Sequence, residues 1–300
     1  MGLGLGLGLG LANRLFAASG YGDDFVFTVE TTAPDEVFTT PCQNIGVFNA
    51  IMDYGDGSSS HITAYNDADL AHTYANAGIH TIRISGTFPN IYFNNGGDKE
   101  KVRSVIQLGK VGWAALNKAF YGCSGMTSFV AGTCNTSLID DLTQTLRDCT
   151  SLIHISLVGM DLSKVVTFLN MCRGDSNLVS FDITGVDTTL AENFQDMFYS
   201  CVSLNADLSA LNFAVTTNLT HFLYNCDSMS AENLDNLFRS IYEQRASITW
   251  ETPAIDTGNL TNDPTGVYQD ATPPTTGLEY IYKLVNDPDA EGFNVWTITY

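Results

Sequence analysis

Phe194–Leu204 reads FQDMFYSCVSL, and four other stretches of the chain fall onto it in register. They are Leu116–Met126 (LNKAFYGCSGM), Leu142–Leu152 (LTQTLRDCTSL), Phe168–Leu178 (FLNMCRGDSNL) and Leu219–Met229 (LTHFLYNCDSM). The landmark residues Cys123, Cys149, Asp175, Cys201 and Cys226 follow one another at intervals of 26, 26, 26 and 25. Seven positions earlier stand Leu116, Leu142, Phe168, Phe194 and Leu219, and three earlier Phe120, Leu146, Cys172, Phe198 and Leu223. Three positions later come Met126, Leu152, Leu178, Leu204 and Met229. A fixed period in the twenties predicts units that each hide an apolar face against the next, a solenoid that displays a surface.

Working outward, each unit is expected to hold a helix that ends at its landmark. Phe129, Ile155 and Phe181 then begin strands of a stacked parallel sheet. Met197 to Leu204 (MFYSCVSL) resembles the BspA-type leucine-rich repeats of bacterial and phage surface proteins, whose pattern is a helix ending in M-F-x-x-C-x-x-L before a short strand. The first unit departs from it with Ala119 for Met, and the third with Asp175 for Cys. The resemblance implies an α/β leucine-rich-repeat solenoid over residues 116–246. Residues 88–115 are expected as a leading cap, with a strand at Val102–Leu108 and Trp113 covering the end of the stack. Ser230 is placed as the cap of a closing helix through Leu234, Leu237, Phe238 and Ile241. Residues 247–300 are expected as a C-terminal cap, with a helix at Gly277–Val285 and a last strand at 294–299.

Residues 23–87 change character. Short alternating runs at Phe25–Val29, Phe48–Asp53, Ile62–Tyr65, His72–Tyr74 and Ile79–Ile84, separated by turn residues, predict an all-β sandwich. Asp53-Tyr54-Gly55-Asp56-Gly57-Ser58 followed by His72-Thr73-Tyr74 resembles a PKD-type immunoglobulin-like module. Asp53 and Asp56 carry the oxygen ligands calcium takes, but two carboxylates are too few to define such a site.

Residues 1–22 are expected as an anchoring arm. Gly2, Leu3, Gly4, Leu5, Gly6, Leu7, Gly8, Leu9, Gly10 and Leu11 alternate with period two, which as a strand puts every leucine on one face. The first cation, Arg14, follows the apolar stretch, unlike the basic start of a secretory signal. The stretch is also too short and too rich in glycine for a membrane span. The expected partners of the arm are other virion proteins or copies of the chain itself, in a homo-oligomer such as a trimer.

A formal charge of −20 with 13 Lys and Arg argues against nucleic acid and anionic membranes, because phosphate binding needs cations. Seven cysteines in 300 residues do not make a disulfide framework, and free thiols are expected. The histidines (His61, His72, His80, His154, His221) show no metal-ligand spacing, and no nucleophile elbow, phosphate loop or Cys-x-x-Cys occurs. No catalytic residue, cofactor or metal is therefore assigned. Arg173-Gly174-Asp175 spells a cell-adhesion tripeptide, but it lies inside a repeat in register.

The function expected is that of a non-enzymatic phage virion protein of fibre, spike or decoration type. It would dock by its arm and present the repeats, with the ladder Cys123, Cys149, Asp175, Cys201 and Cys226, to a host-surface glycan or protein. The setting expected is the virion, with an extracellular or cell-surface adhesin as the alternative and a carbohydrate-active enzyme a distant third.

Overall fold

The computed structural model describes residues 20–244 together with 254–256, 264, 266, 274, 276, 278–281 and 297–299. The Gly2–Leu11 arm lies outside the described residues, as does most of the expected C-terminal cap.

Alternation of large apolar residues builds the first half. Strand β1 (Phe25–Thr31) points Phe25, Phe27 and Val29 into the core. It is bracketed by β6 (Gly78–Thr87) and β7 (Val102–Gln107), both antiparallel to it, with Phe27 opposite Ile82 on one side and Val105 on the other. Beyond β6 come β3 (Asn49–Asp53) and β4 (Ser59–Ile62), while β2 (Glu36–Thr39) and β5 (Ala71–Tyr74) pair separately. The expected strand at Ile62–Tyr65 thus sits earlier, ending at Ile62, and β2 was not expected at all.

At β7 the sheet changes sense. It pairs in parallel with β8 (Ser128–Val130), then β9 (His154–Ser156) and β10 (Ser180–Asp182). Ser128, His154 and Ser180 stand side by side, as do Phe129, Ile155 and Phe181. One eight-stranded mixed sheet results, in the order β10-β9-β8-β7-β1-β6-β3-β4. Two short parallel strands, β11 (Ala254–Asp256) and β12 (Thr297–Thr299), pair with each other.

This overturns the α/β leucine-rich-repeat solenoid expected from the sequence. The described chain is mostly β, and Leu116–Met126 and its four counterparts contain no helix. The one longer helix, α1 (Ala231–Gln244), follows the repeats, and residues 278–281 are a single helical turn. The cause is in the backbone. Lys118, Gln144, Asn170, Asp196 and His221, five before their landmarks, have φ between +53 and +57. The residues just before the landmarks, Gly122, Asp148, Gly174, Ser200 and Asn225, are left-handed as well. An α-helix needs an unbroken run of negative φ.

The hydrogen bonds follow. Ala119 and Cys123 donate within their own turn, to the Leu116 and Phe120 carbonyls, whereas Lys118, Phe120 and Gly122 donate sideways to Thr143, Thr145 and Arg147. The next turn repeats this, Gln144, Leu146 and Asp148 donating to Leu169, Met171 and Arg173, and the third and fourth continue it. Ahead of the first turn, Phe93, Asn94 and Asn95 donate in the same way to Ala119, Lys118 and Tyr121.

Leu142, Phe168, Phe194 and Leu219 are all buried in one hydrophobic cluster that runs from Phe25 to Ile281. Trp113, expected over the end of the stack, is buried, its ring edge-on to Phe25 with centroids 4.9 Å apart and its Nε1 donating to the Leu108 carbonyl. The expected boundary near residue 88 is therefore crossed by both sheet and core.

At the far end, Ser230 Oγ accepts from the Asn233 amide, and Leu234, Leu237, Phe238 and Ile241 of α1 face inward. The helix also turns polar side chains onto the last layer. Asn233 bonds Asn205, Asn236 bonds Asp207, Ser240 donates to the Ser209 carbonyl, and Gln244 both donates to the Leu211 carbonyl and accepts from the Phe213 amide.

Candidate binding surface

The landmark residues face inward. Cys123, Cys149, Asp175, Cys201 and Cys226 are all fully buried, so none can touch a partner. Their thiols serve the core: Cys149 Sγ donates to the Phe120 carbonyl at 3.2 Å, Cys201 Sγ to Cys172 and Cys226 Sγ to Phe198, each at 3.0 Å. Burial pushes all four thiols up, away from the thiolate that reacts. All seven cysteines are free.

Asp175 is the exception in kind. Its Oδ1 accepts from the Cys149 amide at 2.7 Å, and its Oδ2 has no partner. Burial, only partly offset by that hydrogen bond, pushes its carboxyl well above the usual range. The Arg-Gly-Asp tripeptide is therefore not presented as a recognition loop.

What the turns do present lies two positions before each landmark, where the tight left-handed turn throws the side chain outward. These residues are Tyr121, Arg147, Arg173, Tyr199 and Tyr224, and the sequence reading passed over them although they align in the five stretches. They form a stacked row. The Arg147 guanidinium lies over the Tyr121 ring at 5.1 Å, and that of Arg173 over Tyr199 at 4.1 Å. Tyr199 and Tyr224 are parallel, 5.0 Å apart at 11°. Arg147 Nε pairs with Asp148, and Arg173 Nη1 with Asp196, which also meets His221 Nδ1 at 3.2 Å. Lys118, Gln144, Asn170, Asp196 and His221 recur three positions earlier in each turn, Asp196 among them being buried.

Residues 114–252 match the family DUF285, described as a Mycoplasma protein of unknown function. The DUF285 match covers less than half of the chain, and it spans all five turns and α1. No curated protein and no solved structure matches the chain. The descriptions leucine-rich repeat, BspA-like, PKD-like and solenoid are corrected accordingly: the fold is a β-rich sheet, and the family that matches is DUF285. The comparisons likewise return no virion, tail or capsid fibre, receptor-binding or adhesion protein.

In residues 23–87 the polar groups are committed to the fold. Asp53 Oδ1 accepts from the Gly55 amide, and Asp56 accepts from Ser58 and, at 2.8 Å, meets His72 Nε2. Burial acts to raise the Asp56 carboxyl, but the bonds from Ser58 and His72 prevail and hold it at about 2. His72 stacks on Tyr54 at 3.9 Å, and Tyr74 on His80 at 3.7 Å. Among the described residues no group of three or more His, Cys, Asp or Glu could hold a metal. No described helix is long and apolar enough to cross a membrane.

Proposed function

We propose that this chain is a non-enzymatic recognition protein that presents the Tyr121–Tyr224 row to a partner. In this reading Gly2–Leu11 docks it on a larger assembly, a phage virion in the first instance. The observation that carries the proposal is the row itself, five outward side chains from five successive turns held in one stacked line. The lateral hydrogen bonds under it fix the backbone, so little ordering entropy is lost on binding. A secreted or cell-surface adhesin would use the same row without needing the arm.

Deleting residues 2–11 separates the two settings. In a virion protein the shortened chain keeps its melting temperature and loses co-sedimentation with the particle. In an adhesin the deletion leaves binding to the target surface unchanged. Turnover of any glycan in a hydrolysis screen would overturn the non-enzymatic reading.

A further inference from the structure

Arg147 and Arg173 come from adjacent turns, and the Asp148 amide donates to the Arg173 carbonyl at 2.8 Å. Main chains bonded sideways in this way run about 4.8 Å apart. Two arginines thus come from neighbouring main chains in a protein of formal charge −20, each guanidinium lying over a ring on its outer side, Tyr121 for one and Tyr199 for the other. Each is tied to a carboxylate by one nitrogen, Arg147 through Nε and Arg173 through Nη1. The Nη groups of Arg147 and the Nε and Nη2 of Arg173 have no partner among the described residues. The side-chain amides of Gln144 and Asn170 have none there either.

We propose that this pair holds an acidic group, a carboxylate or sulfate, of a linear glycan lying along the row. The proposal rests on the recognition reading above and names its ligand class. Each guanidinium spends one nitrogen on a carboxylate, and the remaining planar N–H groups offer an incoming anion paired donors. Tyr121, Tyr199 and Tyr224 supply ring edges and hydroxyls on either side of the pair, and Gln144 and Asn170 supply amides, which suit a chain of hydroxyls. Tyr and Arg also anchor protein interfaces, so a protein is the competing occupant, and binding to the target surface that survives removal of its glycans overturns the proposal. A nucleic acid would want many more cations than two.

The test is titration of the full chain with an oligogalacturonate, a sulfated oligosaccharide, a neutral cello-oligosaccharide of the same length and a DNA oligomer. At least one acidic glycan is expected to bind, about tenfold or more tighter than the neutral one. Which of the two binds tells carboxylate from sulfate. Arg147→Gln and Arg173→Gln are each expected to weaken that binding about tenfold or more, the first without moving the melting temperature and the second with a lower one because buried Asp196 loses its ion-pair partner, and Arg147→Lys to weaken it less. The proposal fails if neither acidic glycan binds, if the neutral one or the DNA binds as well, or if both Gln variants bind like the parent. A protein that still attaches to its target surface while ignoring acidic glycans would leave the recognition reading standing and remove only the ligand class.

Discussion

At the scale of single residues, Asp175 is the weak point of the buried ladder. Its neighbours in that ladder fill the space with a thiol that donates to a carbonyl, whereas Asp175 leaves one oxygen bare. A buried polar atom without a partner costs about 1–3 kcal/mol. Asp175→Cys is therefore expected to stabilise the chain by about that much, read as a higher urea midpoint at neutral pH. The sign with pH follows from linkage. A carboxyl raised in the folded state keeps its full contribution below the unfolded value and loses it as pH rises through the folded one. The gap between parent and Asp175→Asn should thus widen from pH 4 upward and close below it. A gap constant across that range would show that Asp175 is not neutral in the folded protein. Asp56 works the other way, its lowered carboxyl contributing stability that fades as pH falls below about 4 toward 2.

At the scale of elements, the turn is what the sequence concealed. Apolar residues at seven and three positions before the landmark are spaced as on one helix face, and the same spacing serves a chain of tight turns. What separates the two is the sign of φ at Lys118, Gln144, Asn170, Asp196 and His221, none of which is glycine, so the composition signal was confined to Gly122 and Gly174 and a scatter of Asn and Asp. The repeat period and the inward side chains were legible because burial alone sets them. The outward row was legible as an alignment column (Tyr, Arg, Arg, Tyr, Tyr), but nothing in the sequence showed that its members stack. One glycine in the turns tests this backbone. Gly174 has φ +82, and an added Cβ there would strike Asp148 Oδ1. Gly174→Ala should cost about 1–3 kcal/mol in chemical denaturation. An α-helical turn would instead be strengthened by the change, so a stabilised variant would refute the left-handed assignment.

At the scale of the whole molecule, the two halves share a sheet and a core, a union the sequence reading missed because β7 was read as a cap. Val105 pairs with Phe27 on one side and with Phe129 on the other. The chain is expected to unfold in one transition, and residues 116–244 alone should fail to fold because Phe129 and its strand lose that neighbour. Two separate calorimetric peaks, or a native-like circular dichroism spectrum from the fragment, would contradict this. The finish that α1 puts on the last layer bears on assembly. Side chains of Ser240 and Gln244 occupy the Ser209 and Leu211 carbonyls and the Phe213 amide, backbone groups that a further strand would seek. Among the described residues those groups are already spent, so another strand could pair there only after displacing α1.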